Sequence, residues 1–133
     1  MKTRIFTVLA AALILAASPA RAHHAFGAEF DANKPMTLKG AVVKWELSNP
    51  HSWIHIDVKG DDGKVERWMI ESAPPNNLFR LGFTKESLPP GTEIVVECFR
   101  AKDGSNRASG KDLRFPDGRK LLLGLSQATG APQ

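Results

Sequence analysis

The chain has 133 residues, with 18 Lys and Arg against 14 Asp and Glu, four His and one Cys. A single cysteine excludes an internal disulfide. Three of the basic residues, Lys2, Arg4 and Arg21, lie in the first 22 positions; the remainder is nearly neutral, which gives no strong electrostatic case for binding nucleic acid or an anionic membrane.

The chain opens on Met1-Lys2-Thr3-Arg4, an apolar run from Ile5 to Ala17, and Ser18-Pro19-Ala20-Arg21-Ala22. A basic start, an apolar stretch of about a dozen residues and an Ala-x-Ala site are the three parts of a secretory signal peptide. The run is too short to span a bilayer, which takes about 20 residues. Residues 1–22 are therefore read as a signal peptide, and the mature protein is expected in the periplasm or the secreted fraction. Cleavage after Ala22 makes His23 the mature N-terminus; cleavage after Ala20 is the competitor. About 110 residues remain, enough for one domain with a modest core, expected as a monomer with no membrane span.

Residues 23–35 have no sustained period and read as an arm. Met36 to Leu47 is a long strand whose alternation slips at Gly40-Ala41-Val42-Val43, the mark of a bulge or bend. Asn49-Pro50 breaks it. Trp53 to Val58 is a second strand, with Ile54, Ile56 and Val58 on one face and Trp53, His55 and Asp57 on the other. Gly60-Asp61-Asp62-Gly63 turns the chain into a third strand, Val65 to Glu71. Pro74-Pro75-Asn76-Asn77 opens a short helix that Gly82 can stop. Thr92 to Phe99 is a fourth strand with Ile94, Val96 and Cys98 facing one way. Lys102 to Lys111 reads as a polar loop. Leu113 to Phe115 and Lys120 to Leu123 flank the turn Pro116-Asp117-Gly118-Arg119. Residues 125–133 read as a tail.

Bent strand, strand, strand, helix, strand, strand is the order of an OB-like barrel: all-β, five-stranded, with one short helix between strands three and four. An open β-sandwich of the same strands is the alternative. The barrel is assigned to residues 36–124.

The mature chain also resembles a family of small secreted bacterial proteins of unknown function. The resemblance rests on His23-His24-Ala25-Phe26, Leu38-Lys39-Gly40, Asn49-Pro50-His51-Ser52-Trp53-Ile54, Leu88-Pro89-Pro90-Gly91, Arg100-Ala101-Lys102-Asp103-Gly104-Ser105 and Pro116-Asp117-Gly118-Arg119. It implies export and one β-rich domain, and it supplies no activity and no catalytic residues.

Chemistry can be sought in two places. The four histidines are His23, His24, His51 and His55. Imidazole suits copper, zinc and nickel, and a histidine at a free N-terminus chelates a metal with its amine and its ring together. His23, His24 and His51 are the candidate copper ligands. In a straight strand His51 and His55 are about 13 Å apart, from four rises of roughly 3.3 Å, so they cannot share a metal. If the chain starts at Arg21, His23 stands third and forms a square-planar copper or nickel chelate instead. The other place is the face of strands two and three, where OB-type barrels bind oligomers. Asn49, Trp53, His55, Arg67 and Trp68 are its candidate contacts, for a saccharide or single-stranded nucleic acid. A solvated arm and a packed core are the structural readings of the same residues. Catalysis is poorly supported: Ser52 and His51 are adjacent and point to opposite faces of a strand, and Glu46, Glu71, Glu93 and Glu97 form no recognisable pair. A non-enzymatic binding or accessory protein, with copper as the one cofactor to expect, is the leading reading. An oligomer-binding module is the second, and a copper-dependent oxidase-like enzyme the third.

Overall fold

The computed structural model describes residues 26–124. Residues 1–25, which include the segment read as a signal peptide and His23 and His24, and residues 125–133, read as a tail, lie outside the described residues. Among the described residues, after a helical turn at 26–29, the elements follow in the order β1 (Phe30–Glu46), β2 (Ser52–Lys59), β3 (Val65–Ser72), α1 (Pro75–Arg80), β4 (Glu93–Ala101), β5 (Arg107–Arg114) and β6 (Lys120–Leu122). The sheet order is β3-β2-β1-β4-β5-β6, and β3 also pairs with β5, which closes the first five strands into a barrel. This is the OB-like barrel with its helix between strands three and four; the open sandwich is ruled out by that closure. Among the described residues no helix is long and apolar enough to cross a membrane.

β1 serves both halves of the barrel. Pro35 to Ala41 pair with β4, and Ala41 to Glu46 pair with β2. The register slips between Val42 and Lys44, at the phase slip of the sequence. Gly40 sits just before this bend, where the strand passes close to β2. A Cβ at Gly40 would lie 2.5 Å from the backbone oxygen of Asp57 and 3.2 Å from Val58 Cγ2. A backbone carbonyl fixed in a ladder cannot step aside. Gly40→Val is therefore expected to destabilise the protein by about 1–3 kcal/mol through overpacking, read as a lower urea midpoint at unchanged slope.

The core holds Leu38, Val42, Ile54, Ile56, Trp68, Ile70, Ile94, Val96 and Leu113, all under 10% exposed. Ile54, Ile56, Ile70, Ile94 and Val96 are the inward residues that alternation assigns. Leu78 of α1 joins them with no exposure. Pro75 occupies the first turn of α1, where a missing N–H costs nothing. The helix ends in a Schellman motif: Phe83 N donates to Leu78 O (3.1 Å), and Gly82 N donates to Phe79 O (3.2 Å), with Gly82 at φ +100°. Phe83 then packs on Trp45 of β1, ring centroids 5.7 Å apart.

Two boundaries differ from the sequence reading. β1 begins at Phe30, so residues 30–35, read as arm, form its first segment. Phe30 is buried and pairs with Ala101, ahead of an irregularity that ends at Pro35. The polar loop is shorter than read, because Arg107 to Gly110 belong to β5. These residues lack apolar alternation because β5 is pressed between β4 and β3, where only small side chains fit. Ala108, Ser109 and Gly110 are buried there, and a Cβ at Gly110 would lie 2.9 Å from Ile70 Cγ2 and 3.0 Å from Glu71 O. Cys98 faces inward from β4, and burial, with the charge of Glu97 adding, pushes its thiol up to about 12, so it stays protonated and inert.

Candidate functional site

The hairpin β2–β3 sets the outer face. Its register pairs Trp53 with Glu71, His55 with Met69 and Asp57 with Arg67. Side chains of paired residues lie on the same side of a sheet, so all six project outward. The closure extends the rows: Glu71 is opposite Ser109, Met69 is opposite Arg107, and Ser109 is opposite Phe99 of β4. One outer row therefore runs Phe99, Ser109, Glu71, Trp53, Glu46 around the barrel.

At one corner of this face the polar groups converge. Ser48 Oγ donates to His51 O (2.7 Å), which tightens the β1–β2 turn and sets His51 just ahead of β2. The His51 ring meets the Glu71 carboxylate, Nδ1 to Oε1. Glu71 is 7% exposed, while the His51 side chain is 39% exposed. Arg107 lies beside them, its guanidinium 5.2 Å from the Trp53 ring centroid and 3.2 Å from the Glu29 carboxylate. Burial pushes the Glu71 carboxyl above its ordinary range. His51 opposes that shift, the charge of Glu29 reinforces it, and Arg107 opposes it further. The Ser109 hydroxyl, fully buried, has no partner among the described residues.

The start of the described chain is fastened to this corner. Residues 26–29 form a helical turn. Lys102 N donates to Glu29 O (2.9 Å), and the Lys102 ammonium reaches Gly27 O. Phe26 packs against Phe30 and Phe99, with centroids 5.8 and 6.0 Å away. Phe99 is two strands, about 10 Å, from Glu71.

The sequence candidates are divided by this arrangement. His51 is at the corner. His55 is not: its Nε2 lies 3.0 Å from Glu46 Oε2, toward β1. The Lys44 ammonium and then the His55 ring hold the Glu46 carboxyl below its ordinary range. Asn49 is exposed in the β1–β2 turn. Trp53 is half-buried beneath Arg107. Arg67 is tied to Asp57 by two hydrogen bonds of 2.8 and 3.0 Å. Trp68 is corrected: it is 4% exposed and points into the core, capped by Arg100 at 5.4 Å, so it cannot serve as a stacking platform. In the alternation of β3 it shares a face with Ile70, which is fully buried. His23 and His24 lie outside the described residues. Among the described residues no group of three His, Cys, Asp or Glu side chains is placed to hold a metal.

Three residues of the corner, Glu29, Arg107 and Ser109, escape the sequence reading, and Glu71 enters it only as a carboxylate without a pair. Glu71 had a usable signal, since a tight Gly60–Gly63 turn pairs Trp53 with Glu71, two residues from His51. Arg107 and Ser109 had none, because the parallel β3–β5 closure joins segments nearly 40 residues apart.

Fold and corner together define a small OB-like barrel with a polar cluster on its outer wall. The chain belongs to a family of unknown function, DUF6152, which matches residues 11–110. No curated protein matches the chain. A solved structure with some likeness is the mitochondrial single-stranded DNA binding protein of S. cerevisiae, at 15% identity and a TM-score of 0.47, covering 65% of this chain and 97% of that one.

Proposed function

We propose that this is an exported, non-enzymatic binding or accessory protein that takes one copper ion between its N-terminal histidines and His51. The observation that carries the reading is the anchoring of Glu29 at Arg107, beside the His51–Glu71 pair. His23 and His24 stand three and two residues ahead of Phe26. At no more than about 3.6 Å per residue, both are within about 11 Å of it, a reach that allows either histidine to approach the corner that holds His51. A chain cleaved after Ala22 offers the His23 amine and ring as a chelate. His51 adds an imidazole from the barrel, which makes an all-nitrogen set suited to Cu(II). The described residues supply only part of this set, so the site depends on correct processing.

Cu(II) titration of protein beginning at His23 is the test. One equivalent is expected to bind, with affinity at least tenfold lower in His51→Ala and within twofold of the parent in His55→Ala, whose ring is committed to Glu46. Equal affinity in His51→Ala and the parent would remove His51 from the site. Equal losses in both histidine variants would point to nonspecific imidazole binding.

A further inference from the structure

The His51–Glu71 pair has an asymmetry that deepens the copper reading and rests on it for its purpose. The Glu71 carboxylate lies against Nδ1 of His51, and the opposite ring nitrogen, Nε2, has no hydrogen-bond partner among the described residues. The carboxylate is nearly buried and the ring is partly exposed. An ionised carboxylate only accepts hydrogen bonds, so it selects the imidazole that carries its proton on Nδ1. We propose that Glu71 is a positioning residue: it fixes His51 in the Nδ1–H tautomer and presents the Nε2 lone pair to a metal at the corner.

Two features of the fold suit the carboxylate to this task. Glu71 is clamped on both sides by ladders, opposite Trp53 and Ser109, so its backbone cannot drift. Arg107 supplies a cation nearby while its own guanidinium is held by Glu29 and the Trp53 ring. Ligand histidines characteristically give their other ring N–H to a carboxylate, which fixes the tautomer and raises the basicity of the ligating nitrogen. Loss of such a partner typically costs 10- to 100-fold in metal affinity. His55 has the reverse arrangement, with Nε2 engaged by Glu46, and so presents no Nε2 lone pair to a metal.

The test is 15N-resolved NMR of the imidazole rings in metal-free protein beginning at His23, at a pH where the rings are neutral. His51 is expected to carry its proton on Nδ1, a result that needs no variant. In Glu71→Gln, whose amide can either donate or accept, the preference should weaken. In Glu71→Leu it should pass to the Nε2–H form, with copper affinity about 10- to 100-fold lower in the same protein. Nε2–H in the parent, or an unchanged tautomer in a folded Glu71→Leu, would overturn the proposal. A shifted tautomer in a protein that binds no copper would uphold the positioning by Glu71 and refute the copper reading.

Discussion

Ile56→Ala is expected to lower stability by about 2–5 kcal/mol. Ile56 is fully buried on β2, directly opposite Val42 on β1 and Trp68 on β3. All three side chains point into the barrel, so the isoleucine fills the space between two strands rather than a seam at the edge. Truncation removes three carbons from water-excluded surroundings and leaves a cavity. The strands around it are tied by ladders on both sides, so the wall cannot fall inward, and the cavity term adds to the lost transfer energy. Urea unfolding should show the full loss as a lower midpoint with the same slope. A change under about 0.5 kcal/mol would mean that this face of β2 does not line the core.

Lys120→Met is expected to cost roughly 3 kcal/mol, although Lys120 itself is half-exposed. The reason is its partner. The Asp112 side chain is 2% exposed, with Oδ2 at 3.2 Å from the Lys120 ammonium and Oδ1 without a partner among the described residues. Taking away the ammonium leaves a carboxylate buried and uncompensated, and breaking a buried pair from one side typically costs about 3–5 kcal/mol. Partial exposure of the lysine puts this pair toward the lower end. The double variant Asp112→Leu with Lys120→Met removes both charges and should recover most of the loss, since an apolar pair of similar size is often neutral or better in such a place. Thermal unfolding of the three variants separates the ideas. A single variant as stable as the parent, or a double variant worse than the single, would show that the pair does not bury Asp112 in the way described.

What could be read in the sequence was whatever is local. The Gly60–Gly63 turn and strict alternation gave the β2–β3 hairpin with its faces in register. Pro75 and Gly82 marked both ends of α1, and the doubled valine at Val42-Val43 marked the bulge. These signals lie within a few residues of what they specify. The start of β5 was missed because Ala108, Ser109 and Gly110 were selected by tight space between two neighbouring strands, not by alternation. Phe30 was missed because an irregularity separates its pairing from the regular part of β1. The corner was half legible for the same reason. His51 stood out by residue type, while Glu71 looked like any strand carboxylate until the hairpin and the β3–β5 closure brought it against His51, Arg107 and Ser109. Trp68 and Trp53 show the limit of composition: both are strand tryptophans, and only the face distinguishes a core residue from a surface one.

The central claim is a copper site completed by processing at His23. It is tested most directly by measuring metal content and intact mass together, on protein recovered from the periplasm of bacteria grown with copper. One copper per chain is expected, in a species whose mass is that of residues 23–133. A chain of that mass recovered without copper, or copper found only in chains that begin before His23, would contradict it.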